Sequence, residues 1–113
     1  MDRLSNYRIL IKKILTEYHN WASGSSKEDH ENSLVFDEDN DQYLWLHMGW
    51  QGKKRIKGIN IHVRIKNEKV WIEEDWTEEG IATELVKAGI GTSDIVLAFY
   101  PPTERALTLV CYC

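Results

Sequence analysis

The chain has 113 residues, is 42% hydrophobic and 28% charged, and carries two prolines and seven glycines; these are the proportions of one folded domain over residues 1–113, not of a disordered, collagen-like or multidomain chain. No apolar run approaches the roughly 18 residues needed to span a bilayer, and no signal-peptide core follows Met1, so a soluble cytoplasmic protein with no membrane partner is expected. The formal charge of −4 disfavours a nucleic-acid binder working through its whole surface, yet the charge alternates in blocks, with seven carboxylates and no base in residues 28–41 and six bases and no acid in residues 51–66.

Leu4, Tyr7, Ile11, Ile14, Leu15, Tyr18 and Trp21 recur at helical spacing, which predicts a helix over residues 4–21 with Asp2 as its cap and Ala22 to Ser26 as its stop. The acidic stretch from Ser26 to Asn32 reads as an exposed loop and a hinge. From Leu34 the period is two. Leu34 to Phe36 form a short strand closed by the turn Asp37–Asp41, and Tyr43 to Trp50 form a central strand, apolar on both faces. After a turn at Gln51 to Lys54, the strand Ile56 to Lys66 places Ile59, Ile61, Val63 and Ile65 on one face and Asn60, His62, Arg64 and Lys66 on the other.

A two-residue turn at Asn67-Glu68 sets Ile65 against Val70, Arg64 against Trp71, Val63 against Ile72 and His62 against Glu73. Glu68 is not suited to the positive φ of such a turn, so a longer loop with shifted register stays open. A second helix follows, capped by Asp75 or Thr77, with Glu78 and Glu79 in its first turn, Ile81, Ala82, Leu85 and Val86 as its buried stripe, and Gly89 as its stop. Ile95 to Phe99 is a short apolar segment ended by Pro101-Pro102, and Ala106 to Tyr112 offers a further edge strand. The architecture read from these elements is α+β: an N-terminal helix, an antiparallel four-stranded meander, a second helix and a short C-terminal segment.

If the strands pair in this way, Tyr43, Trp45, His47, Asn60, His62, Arg64, Trp71 and Glu73 project together from the face opposite the core, with Arg64 stacked on Trp71 and His62 beside Glu73. Aromatic, arginine and histidine side chains concentrate at interface centres, so this face is either a protein interface or, if the second helix packs on it, interior. His62 with Glu73 has the look of a general-base pair. No activated Ser, Cys or Lys accompanies it at a predictable distance and no glycine-rich phosphate loop is present, so no enzyme is expected. His19, His30, His47 and His62 lack ligand spacing, Cys111 and Cys113 are a lone C-x-C pair outside any disulfide framework, and Asp37–Asp41 lacks the glycine and terminal Glu of a calcium loop; neither cofactor nor metal is expected. Lys53, Lys54, Arg55 and Lys57 make a basic turn beside Trp50 that either contacts nucleic acid or protects a strand edge.

Leu46-His47-Met48-Gly49-Trp50, Ile61-His62-Val63, Lys69-Val70-Trp71-Ile72, Gly80-Ile81-Ala82, Asp94-Ile95-Val96-Leu97 and Phe99-Tyr100-Pro101-Pro102 make the chain resemble, nearly end to end, the XisI-like family, named for the fdxN element excision controlling factor of filamentous cyanobacteria. Two positions depart from that pattern: Trp76 stands where a small residue is usual, and Tyr100 where His is common. The resemblance implies an α+β accessory protein that regulates programmed excision of a DNA element during cell differentiation in the heterocyst-forming lineage. It further implies protein contacts with a sister, XisH-like excision factor and, indirectly, a site-specific recombinase, together with self-association as a homo-oligomer. It implies no catalytic mechanism.

Overall fold

The computed structural model describes residues 3–25 and 29–103. The Asp2 cap, the Cys111 and Cys113 pair and the strand expected at 106–112 lie outside the described residues. Helix α1 (Arg3–Ser25) leads into strands β1 (His30–Asp37), β2 (Gln42–Gln51), β3 (Lys54–Lys66) and β4 (Lys69–Asp75), followed by helix α2 (Ile81–Lys87), a 3-10 turn at Thr92–Asp94 and strand β5 (Ile95–Leu97). No helix among the described residues is long and apolar enough to cross a membrane.

The α+β class holds, but the antiparallel four-stranded meander becomes a five-stranded mixed sheet in the order β1-β2-β3-β4-β5. The first four strands are antiparallel, whereas β5 runs parallel to β4. The reason is the α2 connection, which returns the chain to the start of β4 so that Ile95–Leu97 travels in the same direction as Val70–Ile72. Past the end of β5, the Ala98 amide donates to the Ile72 carbonyl at 2.8 Å.

Strand β1 begins at His30, earlier than Leu34, so His30 to Asn32 of the expected hinge are sheet, while Ser26 to Glu28 lie outside the described residues. Its entry is set by a glycine: the Trp50 amide donates to the Asp29 carbonyl at 3.0 Å, and a Cβ on Gly49 would lie 2.3 Å from that same oxygen. Both helices pack on one face of the sheet. Tyr7, Ile11, Ile14 and Leu15 of α1 and Ile81, Ala82 and Leu85 of α2 meet Tyr43, Trp45, Ile61, Val63, Val70 and Ile72 in one continuous core. Trp21 and Val86, expected on the buried stripes, are exposed. The tight turn at Asn67-Glu68 is present with φ of 52° and 62°, values that admit a non-glycine residue at a modest cost.

Helix α1 is pinned to the β1–β2 turn by charge. The Arg8 Nε and Nη2 atoms donate to the two Asp41 carboxylate oxygens at 2.8 and 3.2 Å, and the Tyr43 hydroxyl donates to Asp41 Oδ1 at 2.9 Å. The Arg8 hydrogen bonds, aided by Tyr43 and opposed by burial, hold the Asp41 carboxyl below the usual carboxylate range. A depressed carboxylate stabilises the fold above its unfolded pKa of about 3.9 and loses that contribution as pH falls through the folded value. Asp41→Asn, which tolerates the positive φ at this position, is therefore expected to cost about 1–2 kcal/mol at pH 7. In urea unfolding measured from pH 7 down to about pH 3, the gap between wild type and variant should close below about pH 4.

Candidate functional site

Two β-bulges decide which side chains share a face. Along β2 and β3, Trp45 pairs with Ile61 but Leu46 pairs with Ile59, leaving Asn60 as the extra residue. Along β3 and β4, Val63 pairs with Ile72 but His62 pairs with Glu74, leaving Glu73 as the extra residue. Each bulge reverses the inward and outward parity of the strand beyond it. The face expected to gather Tyr43, Trp45, His47, His62, Arg64, Trp71 and Glu73 is divided between the two sides of the sheet, because β2 sets Tyr43 and Trp45 opposite the core residues Val63 and Ile61.

Tyr43 and Trp45 point toward the helices and are core, 0% and 6% exposed. His47 lies on the same side, hydrogen-bonded to Asn60. The His47 ring fills the space where Gly58 lacks a side chain; a Cβ there would come within 2.9 Å of its Cε1. Strand β2 is apolar on both faces, so its alternation alone left its orientation undecided. Ile59, expected in the core, faces outward with Leu46 because of the Asn60 bulge.

His62, Arg64, Trp71 and Glu73 do share the outer face, but with other partners than expected. The Arg64 Nη1 lies 3.6 Å from a Glu73 carboxylate oxygen, and the Lys66 ammonium, not the Arg64 guanidinium, sits 4.9 Å from the Trp71 ring centre. The Trp71 indole donates to the Lys66 carbonyl at 2.9 Å. His62 Nε2 bonds to Gln42 Oε1 at 2.7 Å, so the His62–Glu73 acid/base pair does not form. Burial lowers the His62 pKa against the opposing pull of Glu73. Around these residues Leu44, Leu46, Met48, Ile59 and Val96 are half-buried and Val35 is exposed, and no described element packs over them. The result is an apolar sheet face rimmed by polar and aromatic groups.

The helix side holds a feature that residue pattern did not reveal. A groove of about 730 Å³ opens between the C-terminal half of α1, the Trp45–Asn60 part of the sheet and the loop Trp76–Glu79. Tyr18 stacks on Trp45 at its floor, with ring centres 5.7 Å apart and planes 10° from parallel. Trp21 and Trp76 stand at the rim, 76% and 78% exposed. Its charged lining is Glu17, Glu78, Glu79 and Glu84, with no basic side chain among the described lining residues. Burial raises the Tyr18 hydroxyl pKa, and the negative charges of Glu84 and Asp75 raise it further.

Asp75 shapes that loop. Its carboxylate accepts from the Thr77 amide at 2.9 Å, the Thr77 hydroxyl at 2.6 Å and the Ile81 amide at 2.6 Å. The capping role expected of Asp75 is thus real, but the bond reaches across a loop that turns at Gly80, where φ is 84°. Helix α2 starts only at Ile81, so Glu78 and Glu79 belong to the groove and not to the first helical turn. The exposed string Trp76-Thr77-Glu78-Glu79 between two apolar elements was the available sequence signal.

The basic turn is the tip of a hairpin. Gln51 pairs with Lys54 across Gly52-Lys53, with Gly52 at φ 63°. Lys53, Lys54, Arg55 and Lys57 are all exposed, and the Arg55 guanidinium lies 5.2 Å from the Trp50 ring centre. Strand β1 pairs with β2 only as far as Gly49, and β4 pairs with β3 only as far as Ile61. The ribbon beyond those points projects as two strands.

Comparison with known proteins bears on the family. The family model described as XisI protein matches residues 1–111. Among solved structures, a XisI-like protein from Anabaena variabilis ATCC 29413 is 39% identical, with a TM-score of 0.83 over 92% of this chain and 94% of that one. The fdxN element excision controlling factor XisI from the same organism is 43% identical, with a TM-score of 0.81 over 92% of this chain and 99% of that one. No curated protein matches the chain. With a family match over nearly its whole length and the same fold at this level of identity, the chain belongs to the XisI family.

Proposed function

We propose that this protein is a non-enzymatic accessory factor that regulates excision of a DNA element by a site-specific recombinase, acting through contact with a sister, XisH-like excision factor. Membership of the XisI family and likeness to a protein named as an excision controlling factor support the process. The observation that carries the mode of action is the outer sheet face: both helices lie on the other side, which leaves Leu44, Leu46, Met48 and Ile59 accessible within a rim of His62, Arg64, Trp71 and Glu73. An apolar centre inside a rim of polar, arginine and aromatic side chains is the anatomy of a protein interface. His62 is held by the Gln42 side chain and not by Glu73, so the acid/base pair suggested by the sequence does not compete with that reading.

Titration calorimetry against the sister factor tests it. Leu46→Asp and Trp71→Ala, both on half-exposed positions where folding should survive, are each expected to weaken binding by about 100-fold, the loss typical of a central interface residue. Wild type that does not bind, or variants that bind as tightly as wild type, would overturn the reading. A second reading, direct contact with DNA by Lys53, Lys54, Arg55 and Lys57, is favoured only by the exposure of those four cations beside Trp50. Four phosphate contacts give weak, salt-sensitive binding, so such contact would assist a partner and would not anchor the protein.

A further inference from the structure

We propose that the basic β2–β3 hairpin of one copy seats in the acidic aromatic groove of a second copy, and that the exchange is reciprocal about a two-fold axis. The two surfaces are complementary in charge. Residues 51–57 hold four cations and no acid, and the groove holds four carboxylates and no cation. Among the described residues, Lys87, 3.8 Å from Glu84, offsets one of the four. They are complementary in chemistry as well, because exposed indoles beside carboxylates form a cation-binding wall. Trp21 and Trp76 flank the groove, and lysine or arginine over an indole face gains about 0.5–2 kcal/mol depending on how far it is desolvated.

The reach also fits. From Lys54 at the tip to Asn60 at the groove, β3 covers about 20 Å at roughly 3.3 Å per residue. Two such arms lying antiparallel side by side bring the tip of each level with the base of the other, which is where its groove opens. Hairpin and groove are adjacent on one chain, so the contact closes at two copies and does not propagate as a filament. Pairing two such β3 edges, open among the described residues, in that register would set Lys57 opposite its own copy, a like-charge pair that destabilises strand pairing. The groove's carboxylates relieve that repulsion. The contact uses the helix side of the sheet and leaves the outer face free, so it stands apart from the binding of a sister factor.

Static light scattering at about 50 and about 500 mM salt tests the exchange, since exposed charge pairs weaken as the Debye length shortens. Wild type is expected at twice the chain mass at low salt, shifting toward monomer at high salt. A triple variant Lys53→Glu, Lys54→Glu, Lys57→Glu and a double variant Glu78→Lys, Glu79→Lys are each expected to be monomeric alone, with wild-type circular dichroism. Mixed one to one, they should regain the dimer, because the acidic arm then meets the lysines introduced in one groove and the basic arm meets the acidic groove of the other copy. Wild type that stays monomeric at about 100 μM, well above the weak range of micromolar association, overturns the proposal. So does a dimer indifferent to both reversals, and so does a hairpin variant that loses DNA binding without change of mass. A dimer split by Leu46→Asp but not by the reversals would also overturn it, by assigning self-association to the outer face.

Discussion

Asp75→Ala is expected to destabilise the protein by about 2–4 kcal/mol, as much as a large core truncation, although Asp75 is polar and only partly buried. One carboxylate satisfies three donors, two of them backbone amides on either side of the Gly80 turn. Removing it leaves the Ile81 amide, the first of α2, without the acceptor that replaces a preceding helical turn. Asn at this position retains one acceptor oxygen and should lose about half as much. Thr77→Ala, which removes only the hydroxyl that accepts from the Gly80 amide at 3.1 Å and donates to Asp75, should cost about 1 kcal/mol. Urea midpoints of the three variants would establish the order; an Asp75→Ala loss below about 0.5 kcal/mol would show that the loop is held by its packing and not by this carboxylate.

Gly49→Ala is the second large effect, expected to cost about 2–3 kcal/mol and to lower the melting temperature by about 10 °C. The added methyl would lie 2.3 Å from the Asp29 carbonyl oxygen and 3.0 Å from the His30 Cα, both main chain, so no side chain can rotate to make room. Relief requires β1 to move away, breaking the Trp50–Asp29 hydrogen bond at the point where β1 enters the sheet. Gly58→Ala is the control. Its methyl would meet the His47 ring, which can turn aside by giving up its bond to Asn60, and the loss should be smaller. Equal melting temperatures for Gly49→Ala and wild type in a thermal scan would exclude the close approach as a constraint.

Much of the fold was legible because its signals are local. The apolar stripe of α1, the alternation of Ile61, Val63 and Ile65, and the register of the Asn67-Glu68 hairpin from Lys66 to Val63 each follow from spacing within a few residues. What was not legible depends on distant partners. Nothing in the alternation of Tyr43 to Trp50 says which of two apolar faces meets α1, and neither Asn60 nor Glu73 bears a mark of the bulge it occupies. The facing of β2 takes Tyr43, Trp45 and His47 to the helix side, while the two extra residues set His62 against Glu74 and turn Ile59 outward with Leu46. The late start of α2 has the same origin, since its cap comes from Asp75 across a loop and not from the residue next to it. The basic hairpin was recognised from composition, whereas the groove requires Tyr18, Trp45 and Trp76 to converge from three elements.

The brevity of β5 has a bearing on how this protein behaves when concentrated. A sheet with an open side can recruit further strands and grow into cross-β aggregates. On one side, β5 offers only Ile95–Leu97 as a template and is followed shortly by Pro101-Pro102, which lack amide donors. On the other, β1 carries Glu31 and Asp37 along its border. Each margin is blunted by a different device, so a sheet with one apolar face uncovered among the described residues keeps its edges closed to runaway stacking and leaves association to side-chain surfaces that can be specific.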